Sequence, residues 1–497
     1  MPIDATAVAR VTGLKTQYQD MREGRALFLP QHIALFGQGS SSVAYSTEKF
    51  IATSHQQVGR KVGWGSPLHL AAMELLPDNG DGIGTVTLTV FPLEDAYEGT
   101  PSQGKITPTG VQAKAGQYRV RVAGYLSTRF VIAESESIQD ICTKIADAIN
   151  GVLHMPVIAT AGATDVDLVS KWAGESANDI TIEVLGEPQG VDFAITNMTG
   201  GLANPSLAGA LAQIGPVWVT MGLNCLNIED TDALDEIQEF GGEPGTETTP
   251  GSGRWDPLVR KPLVVFVGNT KTDPTAATVE VVDRPTDCVN VQLVAPGSPN
   301  LPCVVAARQL ARIARLANNN PPHDYGSQRA TGLIPGADGD QWNYAQRDLA
   351  VKRGSSTIEV RNGEVAISDV VTPYRPDGDP LPPYRFVVDI VKLQNVIFNF
   401  DIEFTKPEWD GAPLLPDDEP TTNPTAKKPK MAKSVAGKII DGLADAAILV
   451  NREASKKSVA TAIDPQNPKR LNMAAPVQVS GNANQKAITL HWGFLFG

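Results

Sequence analysis

The segment QKAITLHWGFLFG alternates strictly: Ile488, Leu490, Trp492, Phe494 and Phe496 take every second position, with Thr489, His491 and Gly493 between them. Period-2 alternation rich in aromatic and β-branched residues predicts a strand, and Leu495 is the single exception on its opposite face. A terminal segment this apolar needs a surface to bury against. Two are open: the chain's own sheet, or a neighbouring copy's sheet reached by strand addition.

Residues 1–25 show no clear periodicity and read as an extended arm. Two short apolar runs follow, Ala26–Leu29 and His32–Phe36, the second a buried strand leading into a Gly-rich loop. In WGSPLHLAAMELLPDN, Ser66 suits the N-cap and Pro67 the first helical position, while Pro77 ends the helix. Leu68, Ala72, Leu75 and Leu76 there hold helical spacing. Residues 83–200 change character. GTVTLTVFPL and QYRVRVAGYLSTRFVIA alternate as strands, the latter with Tyr118, Val120 and Val122 on one face. ESIQDICTKIADAINGV places Ile138, Ile141, Ile145, Ile149 and Val152 on one helical side, with Gly151 near its end. Strands are expected again near Asp165–Ser170 and Asp179–Val184, which together make an inserted α+β module.

From residue 203 strand and helix patterns alternate. Asn204 and Pro205 suit a helix start running through Ile214, and PVWVTMGLNCLNI reads as a buried strand. Asp230 suits the N-cap of a helix to Phe240, and GGEPGTETTPGSGRW is a loop by composition. PLVVFVG is a fully apolar run and VNVQLVAP a largely apolar one, both suited to central parallel strands. Leu301–Asn320 is a helix stopped by Pro321–Pro322. Such alternation predicts a covered, largely parallel α/β sheet. DDEPTTNPTAKKPK, from Asp417 to Lys430, is a linker by composition, and a helix Met431–Asn451 follows it.

Length and charge narrow the classes. A chain of 497 residues exceeds one ordinary core, and its 42% hydrophobic and 20% charged content is that of a soluble globular protein. A net charge of −13 opposes general nucleic-acid affinity. No apolar run reaches bilayer length, and MPIDATAVARVTG lacks a signal pattern, so membrane insertion is not expected. Cys142, Cys225, Cys288 and Cys303 are far apart among apolar neighbours and read as reduced core thiols.

Candidate chemistry is sparse. GQGSSS at 37–42 invites a phosphate-loop reading but lacks the GK[ST] ending and the third glycine of either nucleotide fingerprint. His32, His55, His69, His154, His323 and His491 show no paired metal spacing, and no GxSxG elbow occurs. DNGDG at 78–82 lacks the closing glutamate of a calcium loop and reads as a turn. Asp377, Asp379, Asp417, Asp418 and Glu419 lie in Pro-rich stretches and read as solvated. No catalytic residue, cofactor or metal site is therefore expected. The alternative is an α/β enzyme or nucleotide-binding protein using the Gly37–Ser42 loop.

One region is more specific. NNNPPHDYGSQRATGLIPG and the stretch QRDLAVKRGSSTIEVRNGEVAISDVVTPYRPDG resemble the shared region of contractile tail sheath proteins, nearest the Mu-like branch. Arg347, Asp348, Leu349, Gly354, Gly363, Val365, Ile367, Thr372 and Tyr374 stand at that pattern's strand approach, G-x-V-x-I hairpin strand and ITTY-like end. GWGSPLHLAAMELL, the VRVAG strand and the IADAIN helix are similar to that branch as well. Asp369 stands where the family often has arginine and Pro373 where it has threonine, which bears on any ion pair carried over there.

The resemblance implies a structural subunit and not an enzyme. It implies homo-oligomeric hexameric rings stacked in a helical sheath around a tail tube protein, between baseplate and tail terminator proteins. Subunits would be tied by strand exchange between terminal arms and would contract to drive the tube through the host envelope. The location implied is the virion tail, and the host cytoplasm during assembly. The expected fold is α/β and α+β multidomain: an α/β assembly domain with a mixed sheet, an inserted outer α+β domain and extended terminal arms. Expected divisions are 1–25 (arm), 26–82, 83–200 (insertion), 201–340, 341–484 with linker 417–430, and 485–497 (terminal strand). Expected exchange residues are Ile488, Leu490, Trp492, Phe494 and Phe496, with Gly13, Leu14 and Tyr18 in the N-terminal arm.

Overall fold

The computed structural model describes residues 26–246, 248–376 and 382–484. Gly13, Leu14 and Tyr18 lie outside them, as do Ile488, Leu490, Trp492, Phe494, Phe496, Asp377 and Asp379. Contacts gather the described residues into two units, 28–394 with 482–484, and 26–27 with 395–481.

The larger unit begins with β1 (His32–Gln38), β2 (Phe50–Ala52), α1 (His55–Val62), α2 (Pro67–Leu75) and β3 (Thr87–Leu93). α2 starts where local chemistry places it: the Ser66 hydroxyl accepts the His69 N–H and Pro67 occupies the first turn. β3 pairs with β1 along its whole length, so the chain leaves this sheet only after Leu93. It then forms β4 (Pro101–Gly110), β5 (Gly116–Val122), β6 (Tyr125–Leu126), β7 (Phe130–Ile132) and α3 (Ile138–Asn150). β8 (Val157–Ala161), β9 (Val166–Ala173), β10 (Ile182–Gly186) and β11 (Val191–Thr199) complete this part. One antiparallel sheet runs β11–β4–β9–β8; in the other, β5 pairs with β10, β6 and β7. The isoleucine face of α3 packs on both, with Ile141, Ile145 and Ile149 fully buried. Alternation on β5 is realised too, since Tyr118, Val120 and Val122 all point inward.

The parallel sheet resumes with α4 (Ala208–Ala212), β12 (Met221–Asn224), α5 (Thr231–Gly241), β13 (Val264–Asn269), α6 (Pro274–Ala277), α7 (Val279–Val282), β14 (Asn290–Val294) and α8 (Pro302–Asn319). Strand order is β14–β13–β12–β1–β3–β2, parallel throughout except β2, which is antiparallel to β3. This mixed α/β, multidomain fold is the class expected.

Several local expectations need correction. The helix expected from Asn204 through Ile214 contracts to the five residues of α4. Asn204 is engaged elsewhere: its Oδ1 accepts the Glu175 N–H and its Nδ2 donates to Asn227. The expected strand around Pro216–Ile228 is only four residues long, β12 pairing with Ile33–Phe36 of β1 on one side and Val264–Val267 of β13 on the other. Glu175–Asp179 forms a 3-10 turn, so the strand expected from Asp179 starts at Ile182.

α9 (Tyr344–Lys352) leads to the hairpin β15 (Thr357–Arg361) and β16 (Glu364–Asp369). Asn362 and Gly363 both take positive φ, 54° and 77°, the geometry that keeps a two-residue turn in step with strand twist. Val365 and Ile367 of the G-x-V-x-I stretch are buried. α10 (Val387–Phe404) follows, its residues divided between the two units.

In the smaller unit, α11 (Pro429–Asp445) buries Ala436, Ile439, Ile440 and Leu443 against Val396, Ile448, Leu449 and Val459. The helix ends six residues before the Asn451 boundary expected, and Ala447 turns the chain with φ 57°. β17 (Leu449–Val450), α12 (Arg452–Ser458), β18 (Ala460–Ile463), β19 (Leu471–Ala474) and β20 (Gln478–Val479) follow. The 417–430 stretch forms a loop whose ends meet. Asp417 accepts the Lys430 N–H, and Lys427 N–H donates to Pro413 at 2.8 Å. The Lys427 ammonium lies 5.0 Å from the Trp409 ring centre.

Candidate functional site

In an open parallel sheet, ligands bind where strand order reverses, outside the carboxyl ends of the strands. Here that point lies between β1 and β12, because the chain builds β3 on one side of β1 and later returns to the other. The crevice is filled by the chain itself. Trp172, at the end of β9, is buried there and donates through Nε1 to Ser176 at 3.0 Å. Gln38, the last residue of β1, donates to the Ala173 carbonyl and to Asp95. Trp172, Ser176, Asp179, Cys225, Asn227 and Cys303 line what remains, a cavity of about 10 Å³. That is room for about one water. The N-terminus of α8 is also closed: a Cβ on Gly268 would lie 1.7 Å from the Pro302 carbonyl oxygen.

The Gly37–Ser42 loop is spent on internal bonds. A phosphate cradle needs several backbone N–H groups converging on open space. Gly39 N–H instead donates to the Tyr45 hydroxyl, Ser40 N–H to Val62 O and Ser41 N–H to Lys171 O. The Ser41 hydroxyl binds the Asp95 carboxylate at 2.5 Å, which places negative charge where a phosphate would sit. An adjoining open groove of about 400 Å³ is lined by Glu94 and Asp95 with Thr47, Asn204 and Gln213. Helix N-termini along the same rim are capped by carboxylates. Asp230 accepts the Ala233 N–H and Asp273 the Ala276 N–H. These caps use the positive helix ends that an anionic ligand would need.

Two titratable groups near this region are displaced in opposite senses. Asp179 is raised from 3.8 to about 7, chiefly by burial and then by Glu229, with Lys271 opposing. His69 is lowered from 6.5 to about 3 by burial, with His55, His154 and Lys171 adding repulsion. Gly65 N–H donates to His69 Nδ1 at 3.2 Å, so the neutral ring carries its proton on Nε2, 3.5 Å from His55 Nδ1. His55 Nε2 lies 3.2 Å from Asp78. Asp179, protonated in the fold where the unfolded chain is ionised, costs stability as pH rises from about 4 to 7. His69 acts the other way: its stability is present above 6.5 and lost as pH falls toward 3. Asp179→Asn copies the neutral carboxyl. It should be more stable than the parent above pH 7, by at most ~4 kcal/mol at about 1.4 per pKa unit, less where water screens. The advantage should disappear below pH 4, as thermal melts across pH would show.

Of the other histidines, His32 Nε2 lies 2.8 Å from Thr89 Oγ1, His154 packs edge-on to Tyr125, and the exposed His323 places Nδ1 2.6 Å from Asp324 O, while His491 lies outside the described residues. All four cysteines are buried free thiols. Among the described residues no group of three or more His, Cys, Asp or Glu could hold a metal ion. No described helix is long and apolar enough to cross a membrane.

The smaller unit presents a different kind of site. β17 pairs only with β20 and β18 only with β19, two antiparallel pairs whose outer edges carry no strand among the described residues. Two-stranded pairs are marginal alone, and an open edge is a template for another strand. Val450 and Val479 stand partly exposed there. Between Arg452 and Asn484 the sequence is largely polar and shows no clear period. The missed signal is the weak alternation of ATAI and LNMA around an Asp-Pro and Asn-Pro turn.

The family-like residues converge on the β15–β16 hairpin. Arg347 pairs with Glu359 at 3.1 Å, and Thr372 Oγ1 donates to Tyr384 O. Gly354, at φ 91°, sits against the Pro373 backbone, where a Cβ would come within 2.7 Å. Asp369 accepts from the Ser368 hydroxyl.

No protein-family model matches this chain. The Mu-like prophage FluMu tail sheath protein of Haemophilus influenzae is 23% identical over 403 residues, covering 78% of each chain. Among solved structures, the sheath tail protein of Desulfitobacterium hafniense aligns over 95% of this chain and 97% of its own at 12% identity, TM-score 0.46. That of Listeria innocua aligns over 93% and 94% at 12% identity, TM-score 0.47. Below 0.5, these two likenesses add no weight to the sequence relationship. The resemblance to contractile tail sheath proteins of the Mu-like branch, first carried by short degenerate motifs, holds across 78% of the chain.

Proposed function

We propose that this chain is a structural subunit of a contractile tail sheath. The observation that carries the reading is the similarity to a tail sheath protein over 403 residues. The filled switch point and the carboxylate-capped rim support it, because they leave the central sheet without the anion site an α/β nucleotide enzyme uses. In this reading the subunits polymerise as stacked hexameric rings around a tail tube protein, bounded by baseplate and tail terminator proteins. Terminal arms add strands to neighbouring sheets and hold the mesh while rigid bodies rotate. The outer edges of β17, β20, β18 and β19, which carry no strand among the described residues, are suitable acceptors, and the alternating Ile488–Phe496 segment is a suitable donor. Contraction is a shift between two packings that drives the tube through a host envelope with no nucleotide consumed. The subunit resides in the virion tail, and in the host cytoplasm during assembly.

Electron microscopy of the purified full-length chain tests this. Long striated tubes of uniform diameter are expected. A chain that stays monomeric at every concentration, and whose melting shifts with added nucleotide, would overturn the proposal.

A further inference from the structure

Lys392 lies in the first half of α10 with no exposed side-chain surface, among Val387, Val388, Ile390 and Val391, which are themselves buried. Its four-carbon stem cannot carry the ammonium to water, so the charge needs acceptors in place. Asp389, one turn back, supplies one at 3.0 Å. Another comes from 90 residues away: Asn482 Oδ1 accepts from Lys392 Nζ at 2.6 Å. The other end of the same amide donates from Nδ2 to the Pro322 carbonyl at 2.8 Å. Pro322 belongs to the Pro321–Pro322 pair that stops α8. Asn484 N–H then donates to the Asn482 carbonyl at 2.9 Å. Both functional ends of one side chain are therefore held, three residues before Gln485, where the alternating segment begins.

We infer that the Lys392–Asn482–Pro322 clasp is a positioning device for assembly, fixing the point from which the terminal strand departs. The inference rests on the strand-donation reading above and adds which residues set its geometry. A strand leaving from a fixed origin samples less volume, so its effective concentration at a neighbour's edge is higher and less ordering is lost on docking. A charge-assisted bond to a buried ammonium suits this task, being stronger than a neutral one and costly to break.

The test uses the full-length chain, with polymer measured by pelleting and microscopy against concentration, and melting followed in parallel. Asn482→Ala removes both bonds of the clasp and leaves Asp389 to Lys392. It should melt within a few degrees of the parent, yet need about tenfold more protein to polymerise. Asn482→Asp, which keeps the acceptor and loses the donor, should fall between. Polymerisation of Asn482→Ala at the parental concentration would overturn the inference, and so would a large common drop in melting temperature for both variants, which would make the clasp a folding element. Removal of residues 485–497 separates the two claims. If that truncation polymerises normally, strand donation itself fails. If it does not polymerise while Asn482→Ala behaves as the parent, only the clasp fails.

Discussion

Deleting residues 485–497 should leave a folded, soluble subunit that no longer polymerises. The segment carries Ile488, Leu490, Trp492, Phe494 and Phe496 on one face. Burying even two of these side chains contributes about 3–6 kcal/mol, and each ladder hydrogen bond adds about 1 kcal/mol. Losing only ~4 kcal/mol per contact raises the concentration needed for assembly about a thousandfold, beyond any ordinary preparation. Sedimentation and microscopy read the assembly, and circular dichroism reads the fold. Normal tubes from the truncated chain would sink strand donation. Loss of secondary structure would show instead that the segment closes the subunit's own sheet, the other burial open to an apolar terminal strand.

Gly268→Ala should be among the most destabilising single-methyl changes available in this chain. Gly268 lies in β13 opposite Leu293, and the first turn of α8 rests on it. An added Cβ would come 1.7 Å from the Pro302 carbonyl oxygen and 2.3 Å from its carbon, both backbone atoms. The helix must then move by well over an ångström. Leu310, Ile313 and Ala314 of α8 are fully buried, so that movement opens a close-packed core. A loss of about 3 kcal/mol or more is expected, against typical domain stabilities of roughly 5–15 kcal/mol. Gly209→Ala is the control. Gly209 lies in α4 with nothing within 4 Å of a new Cβ and no positive φ. That change should stabilise by about 0.5–1 kcal/mol through the helix preference of alanine. Denaturant melts of the two variants should move in opposite directions, and equal shifts would refute the close-contact argument.

The same contrast between local and distant causes explains what was legible in advance. Ser66, Pro67 and Pro77 bracket α2 because capping and chain stiffness act within a few residues. The buried strands β1 and β13 announce themselves as largely apolar runs, since a parallel sheet covered on both faces has no polar side. By contrast β14, at the end of the sheet, buries Asn290 and Gln292 on amide bonds to Leu234 O and the Ser355 hydroxyl. Asn204 misled for the complementary reason. It has a good capping residue's chemistry, but its amide is used by Glu175 and Asn227, partners set by the fold. The short strands β17 to β20 gave too little alternation to register, because two to four residues cannot establish a period.

The candidate site divides along the same line. GQGSSS left a phosphate loop open as composition, since a Gly-Ser loop says nothing about where its N–H groups point. Only the tertiary structure places Tyr45, Val62 and Lys171 as acceptors for those groups and sets Asp95 against Ser41. Likewise, no local pattern marks Trp172 as the residue that fills the crevice between β1 and β12. It arrives there from a separate sheet, built from the stretch of chain that lies between β1 and β12.

By itself, then, the sequence determined which segments must be buried, where the stiffest helices start and stop, the absence of a complete nucleotide fingerprint, and the family resemblance. Those properties are written in neighbours a few positions apart, where sterics and hydrophobic period act directly. Only the tertiary structure decided that the switch point is closed, that Asp179 and His69 titrate away from their ordinary ranges, and that Asn482 is held by a buried lysine. Each of those depends on burial and on partners brought together by folding, and burial is a property of the assembled core that no stretch of chain carries alone.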